Sequence, residues 1–370
     1  MRPGTVGTPA QVAGPPERAG WYALVLVVVA PFLAETVASA NTPAVLFPVV
    51  LLLYVVVYGC PAVLLREMWA SGRLTGPRLL FFGIGYTAFN EGVVAATWFK
   101  LSPGTGKVLA FTSVQAGHVA GVNWAVTAGL VVFHTVYSLI VPVTVVQALA
   151  VVRGRGSGGR PWVGRKGLAA CYVLVGLVLL GSLSPKATAQ ACHGPALATC
   201  SAGRPLAAAL VVLVALVLAF LPRPRRSGVG AQPSARPDVP VHDARRLLAG
   251  TAFGVAFFSA FFVLPLAGLP GPAVAADVLL FALVAVMAGR WCRPWGRDLR
   301  GDVLMTLGAL VPGMVLSLAS WQVGQPVAAL LALALYRYLL SRLPRQRGAP
   351  VGPPMVPWPG DTPSPKQRPV

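Results

Sequence analysis

A succession of apolar runs constrains this 370-residue chain more than any other feature of its sequence. A helix needs about 20 consecutive apolar residues to cross the hydrocarbon core of a bilayer, which is roughly 30 Å thick. Such runs occupy residues 21–40, 43–65, 79–99, 121–150, 167–185, 205–222, 247–267, 271–289, 303–321 and 325–341. The pattern predicts an all-α polytopic transmembrane helix bundle of about ten spans.

The composition divides the chain into three parts. Residues 1–20, rich in Pro, Gly and Ala, predict a disordered leader, residues 21–342 predict the helix bundle, and the Pro-rich residues 343–370 predict a disordered tail. The small residues Ala38-Ser39-Ala40 resemble a signal-peptide cleavage site, so a cleaved first run is an alternative. The long polar leader and Glu35, within the apolar region, favour an uncleaved first span.

The net charge of +20 agrees with this interpretation. Its basic residues lie in short stretches between apolar runs and form no continuous face, which argues against nucleic-acid binding. If the N-terminus is cytoplasmic, every inner loop is richer in Lys and Arg than every outer loop. The outer loops then contain only Lys100, Lys107, Lys186 and Arg204. The positive-inside rule therefore predicts both termini in the cytoplasm, with the lipid bilayer as the main partner.

Three acidic residues lie inside apolar runs, namely Glu35, Glu91 and Asp277. An ionised carboxylate in hydrocarbon costs several kcal/mol unless it is paired, protonated or hydrated. At about 1.5 Å per helical residue, all three fall in the outer half of the membrane at similar depths. The depths favour a shared polar site, although three separate acids remain an alternative.

The third and fourth runs contain most of the other polar residues that lipid should exclude. On an ideal helix, the polar residues of the fourth run fall within an arc of about 60°. These residues are Asn123, Thr127, His134 and Ser138. The third run contributes Thr87, Asn90 and Glu91. Because consecutive spans are antiparallel neighbours, we expect Glu91 to face the polar stripe of the fourth run, either as a functional pair or as a structural hydrogen bond.

The cysteines and the known sequence motifs add little. Cys192 and Cys200 share a predicted outer loop, where they could form a disulfide. Only His193 accompanies them, so we predict no metal site. The chain has no P-loop and no H-E-x-x-H motif, and no cofactor is indicated.

Residues 50–150 resemble a family of uncharacterised prokaryotic multi-spanning membrane proteins. That family shows an acidic pair before Gly in one span, then Val-Asn-Trp, then His in the next. The matching segments here are Phe82-Gly83-Ile84-Gly85-Tyr86-Thr87-Ala88-Phe89-Asn90-Glu91-Gly92, Val122-Asn123-Trp124 and Phe133-His134. Asn90 replaces the first acid of the pair. The resemblance implies a multi-pass protein of a prokaryotic cell membrane and supplies no activity.

A more remote similarity is to the CAAX-processing and bacteriocin-immunity intramembrane proteases, which use a Glu pair on one span and a His on the next. Here Ala95 stands where those enzymes have Arg, and Leu130 stands where they have Phe. Three hypotheses follow. The favoured one is a transporter or permease with a polar site built on the third and fourth spans. The alternatives are an intramembrane hydrolase that uses Glu91 and His134, and a scaffold without chemistry.

Overall fold

The computed structural model describes residues 19–39, 42–99, 117–154, 161–184, 203–221, 243–292, 298–319 and 324–344. The predicted Cys192–Cys200 disulfide and the predicted leader and tail lie essentially outside these residues. Within them, ten long helical segments follow one another and are numbered α1 to α10 in chain order. They span residues 19–38, Ala44–Ala70, residues 76–94, Trp124–Val152, Arg165–Ser182, Gly203–Phe220, Asp243–Leu266, Pro270–Trp291, Leu299–Ala319 and Gln325–Arg342.

The helices confirm the predicted all-α polytopic bundle. Eight of the described helices are long and apolar enough to cross a membrane. The other two are α3 and α10, whose polar residues lower their mean hydropathy. The strands of the described residues are β1 (His118–Val119) and β2 (Val122–Asn123), which form an antiparallel hairpin before α4.

Five of these helices contain a π-helical stretch, in which a backbone N–H bonds to the carbonyl five residues earlier. The stretches are Phe32–Ala38 in α1, Val55–Gly59 in α2, Ala88–Val94 in α3, His134–Ile140 in α4 and Ser259–Val263 in α7. Each widens its helix by inserting an extra residue into a turn, a feature that recurs at functional sites. Short 3₁₀ turns occur at Ala44–Leu46 and Thr97–Phe99.

Helix α4 lies at the centre of the bundle. Residues 132–148 are all buried, so most of this helix is surrounded by protein. Its π-helical stretch packs against α1, α2 and α3. Helix α5, in contrast, has no buried residue and therefore presents its apolar side chains to lipid.

The second half of the chain packs on α4 through close helix contacts. Gly308 of α9 lies against α7, and a Cβ there would meet backbone atoms of Leu247 and Thr251. The hydroxyl of Tyr137 on α4 donates to the Ala309 carbonyl of α9 at 3.0 Å. Small residues let these helices approach closely, as is common between membrane helices.

Candidate functional site

The fully buried imidazole of His134 is the centre of a polar cluster in the middle of the bundle. Its Nε2 lies 2.8 Å from Oε1 of Glu91, and its Nδ1 lies 2.9 Å from Oγ of Ser138. The amide nitrogen of Asn90 is 3.4 Å from Nε2. With Glu91 ionised, Nε2–H donates to the carboxylate and Nδ1 accepts the Ser138 hydroxyl proton. The imidazole therefore connects the Glu91 carboxylate of α3 to the Ser138 hydroxyl of α4.

Glu91 is held by a turn at the end of α3. The hydroxyl of Thr97 donates to Oε2 of Glu91 and lies 3.3 Å from the Glu91 backbone carbonyl. Thr97 reaches back because Ala96 adopts a left-handed conformation, with φ of 53°. This conformation is costly for a residue with a Cβ, so the turn stores backbone strain beside the carboxylate.

The second carboxylate, Glu35, lies on the π-helical stretch of α1 and is 6% exposed. Its Oε1 accepts a hydrogen bond from the hydroxyl of Tyr58, on the π-helical stretch of α2. The Tyr58 ring centroid is 5.9 Å from that of His134. Tyr58 therefore connects the Glu35 carboxylate to the cluster around His134.

Two more tyrosines complete the cluster. The Tyr86 ring stands edge-on to His134, with centroids 5.3 Å apart, and its buried hydroxyl lies beside Ser138 and Asn90 without a well-directed hydrogen bond to a described residue. Tyr54 packs edge-on to Tyr58 at 5.3 Å. Its hydroxyl lies 2.7 Å from Oγ1 of Thr42, in the connection between α1 and α2. Tyr54 is half-buried, so the cluster extends toward this predicted outer face.

Four of the five π-helical stretches contain residues of the polar cluster. They supply Glu35 from α1, Tyr58 from α2, Asn90 and Glu91 from α3, and His134 and Ser138 from α4. A π-helical turn shifts the side chains that follow it relative to those that precede it, so it can aim a polar residue inward without turning the whole helix.

The structure does not bring every predicted residue into this cluster. The Thr87 hydroxyl donates to the Gly83 carbonyl of its own helix at 2.8 Å. Asn123 lies outside the helix that was expected to contain it, because α4 begins at Trp124 and Oδ1 of Asn123 caps that helix by accepting the Val126 N–H at 3.2 Å. The Thr127 hydroxyl has no hydrogen-bond partner among the described residues.

Asp277 is also separate. It lies on α8 and is 1% exposed, and neither carboxylate oxygen has a hydrogen-bond partner in the described part of the chain. Helix α8 packs against α3 and the first half of α4, but no described hydrogen bond or ion pair joins Asp277 to Glu35, Glu91 or His134. Glu91 thus bonds to His134 directly, Glu35 is connected to His134 through Tyr58, and Asp277 shares no described hydrogen bond or ion pair with them.

Sequence reasoning missed Tyr54, Tyr58, Tyr86 and Thr97. A tyrosine in an apolar run is usually an interfacial or core residue. Only a depth shared with the acidic residues could have indicated a role for these three tyrosines. The described residues contain no group of three or more His, Cys, Asp or Glu side chains close enough to hold a metal ion.

The comparisons with known proteins add no relative. No protein-family model matches the sequence, and neither a curated protein nor a solved structure is significantly similar to it. The function must therefore be argued from the site itself.

Proposed function

We propose that this integral membrane protein is a proton-coupled transporter whose translocation site is the cluster around His134. The observation that carries the proposal is the hydrogen-bonded pair of Glu91 and His134, 2.8 Å apart in the centre of the bundle, with a second carboxylate nearby on α1. Intramembrane ionisable residues that face a bundle interior mark ion and proton pathways.

The chemistry of the cluster suits proton exchange. A carboxylate and an imidazole can each bind a proton, and His134 contacts Glu91 through one nitrogen and the Ser138 hydroxyl through the other. A change in the protonation of Glu91 alters whether His134 must donate or accept. The hydrogen bonds that join helices α1 to α4 therefore depend on whether Glu91 carries a proton. Coupling between proton binding and helix movement requires such a dependence.

The π-helical stretches support this function as well. The residues of the cluster lie on turns whose backbone bonding differs from that of the rest of each helix. Such turns exchange with ordinary α-helical turns at low cost compared with unfolding a helix, and they are frequent at functional sites. They offer places where helices α1 to α4 can change register around a bound solute.

The proposal is tested by the accessibility of the site from each side of the membrane. In a variant without native cysteines, Ser138→Cys is treated with a membrane-impermeant thiol reagent in vesicles of known orientation. Alternating access predicts modification from either side. Thr306→Cys is the matched control, because Thr306 is an equally buried hydroxyl on α9 that bonds to Tyr336 outside the cluster. Modification of Ser138→Cys from one side only, or from neither, would contradict transport.

A second candidate is an intramembrane hydrolase. The hydrogen bonds from Ser138 to His134 and from His134 to Glu91 have the order of a Ser-His-acid triad, with the two imidazole nitrogens interchanged. A fluorophosphonate probe separates the two functions, because an activated serine forms a covalent adduct with it. We expect no adduct at Ser138. An adduct that His134→Ala and Glu91→Gln suppress, and that Ser317→Ala leaves intact, would favour the hydrolase.

A further inference from the structure

We infer that the solute recognised by the His134 cluster is an organic ammonium ion. This inference rests on the proposed function, because it names the class of substrate for the same site. It is carried by the rings that accompany the two carboxylates and by one buried hydroxyl that points into the cluster.

Four aromatic rings form a continuous group around the acids. Tyr54 contacts Tyr58, Tyr58 contacts Tyr86 and His134, and Tyr86 contacts His134, with centroid separations of 5.3 Å, 6.3 Å, 5.9 Å and 5.3 Å. Most of these contacts are edge to face, with interplanar angles of 73° to 81° for three of the four pairs. Neighbouring rings therefore turn their faces in different directions, and a ring face that is not covered by a neighbouring edge can attract a cation.

This combination of groups selects one kind of ion. A ring face attracts cations through its quadrupole, and the attraction is most useful for a bulky ammonium ion, which holds its water weakly. Small hard cations such as Mg²⁺ or Ca²⁺ require a shell of oxygen ligands instead. The carboxylates of Glu35 and Glu91 supply the opposite charge, and Tyr58 lies between them.

The Tyr86 hydroxyl is the independent second observation. Tyr86 is 4% exposed, and its oxygen lies beside Asn90 and Ser138 but makes no well-directed hydrogen bond to a described residue. A buried hydroxyl without a well-directed hydrogen bond is unfavourable, so a group that bonds to it is favoured. The N–H of a protonated amine, or a water molecule that accompanies a quaternary ammonium ion, can satisfy this oxygen.

The approach to the site has the same chemistry. Tyr54 is half-buried, and its hydroxyl bonds to Thr42 between α1 and α2. A cation that enters from this end therefore meets an aromatic ring before it reaches Glu35.

The test uses pairs of probes that differ in charge but not in size. Phenethylammonium is compared with 2-phenylethanol, and choline with 3,3-dimethylbutan-1-ol, by calorimetry on the full chain in lipid nanodiscs. We expect each cation to bind at least about tenfold more tightly than its neutral partner. Equal binding within either pair, or no binding of either cation, would overturn the inference.

Variants then locate the binding. Tyr86→Leu removes a ring and should weaken cation binding roughly tenfold, whereas Tyr86→Phe retains the ring and should cost less. Glu35→Gln should abolish the preference for the charged probe. Asp277→Asn is the control, because Asp277 is an equally buried acid outside the cluster. A loss of cation binding in Asp277→Asn that equals the loss in Glu35→Gln would exclude this site.

Failure of the inference and failure of the proposed function give different results. If Ser138→Cys is modified from both sides but charged and neutral probes bind equally, the transporter stands and the ammonium specificity does not. If the cations bind with the expected preference but Ser138→Cys is modified from one side only, the ammonium site stands and transport does not.

Discussion

At the scale of single residues, the site is built from polar side chains that satisfy one another away from water. His134, Glu91 and Ser138 are each buried, and each contributes at least one hydrogen bond to the chain that connects them. Partners lower the cost of burying such groups, because an unpaired polar atom in a low-dielectric interior loses its hydration without compensation. The protonation of one member therefore affects every other member of the cluster.

The turn that holds Glu91 gives the first prediction. Ala96 has φ of 53°, whereas the preceding residue, Ala95, has an ordinary helical φ of -87°. Replacing Ala96 by Gly removes the clash of a Cβ in the left-handed region, so Ala96→Gly should stabilise the protein by about 1 kcal/mol. The melting temperature in detergent measures the change.

Ala95→Gly is the matched control for this turn. It removes the same methyl group from a residue in a relaxed conformation, so it should lower the melting temperature. The strain argument fails if the two glycine variants shift the melting temperature in the same direction.

Cys292 gives a prediction about pH. It follows the end of α8, and burial raises the pKa of its thiol to about 12, because a low-dielectric environment disfavours the thiolate. At neutral pH the folded protein should contain about a thousandfold less Cys292 thiolate than an ordinary exposed thiol provides. Alkylation by iodoacetamide, in a variant that retains only this cysteine, should therefore be slow and should accelerate up to strongly alkaline pH. A rate that is half-maximal at about pH 8.5, as the unfolded protein should show, would contradict the burial argument.

At the scale of helices, sequence patterns could predict which spans carry the site but not its full composition. Depth along the helices and the narrow polar stripe led to Glu91 and His134 on facing spans, and the structure places their side chains 2.8 Å apart. The contribution of Tyr58 could not be predicted, because its position depends on a π-helical turn. Hydrophobic periodicity assumes 3.6 residues per turn and contains no signal for the extra residue.

The separation of Asn123 and Asp277 from the site has two different physical causes. On an ideal helix, Asn123 would fall on the same polar stripe as His134. In the structure its side chain instead caps the N-terminus of α4, which starts one residue later. The sequence predicts Asp277 at a depth similar to that of the other acids, but depth fixes only the position along the membrane normal. The direction that a helix face points depends on tertiary packing, which no single-span pattern contains.

A buried ion pair within α2, which is in contact with Trp162 before α5, gives a prediction at this scale. The fully buried Arg66 donates to the Glu67 carboxylate at 2.7 Å and stacks on the ring of Trp162. The backbone N–H of Trp162 also donates to the Glu67 carboxylate, at 2.9 Å. Removing one partner leaves the other charge buried, so Arg66→Met should destabilise the protein by about 3 kcal/mol or more. The double variant Arg66→Met/Glu67→Gln should recover most of that loss. Thermal unfolding in detergent measures all three proteins.

The half-exposed pair of Arg300 and Asp243 is the control for this cycle. It has a similar separation of 2.9 Å, but Asp243 is 44% exposed. Asp243→Asn should therefore cost less than about 1 kcal/mol. The argument from burial is wrong if the double variant at Arg66 and Glu67 is no more stable than Arg66→Met alone.

At the scale of the whole molecule, the bundle has a polar centre inside an apolar surround. Residues 132–148 of α4 are buried, and the helices that contribute to the site, α1 to α4, pack around that segment. Helix α5 lacks buried residues and faces lipid, while α7 and α9 pack closely on the other side of α4. The part of the protein in which polar groups interact is therefore also the part best shielded from lipid.

The orientation of the bundle gives the last prediction, and α3 decides it. Eight described helices meet the criterion of length and apolarity for a span, and α3 is not among them. If α3 did not cross the membrane, every helix from α4 to α9 would be inverted, and the basic residues Arg153, Arg155, Arg160, Arg165 and Lys166 would lie outside. The positive-inside rule opposes that arrangement, so α3 should span the membrane and the connection between α4 and α5 should be cytoplasmic.

In a variant without native cysteines, Ser157→Cys should be protected from an impermeant thiol reagent added to intact cells, whereas Ser184→Cys should react. The reverse pattern would overturn the predicted orientation, because it requires either an α3 that turns back within the membrane or an N-terminus on the outer side.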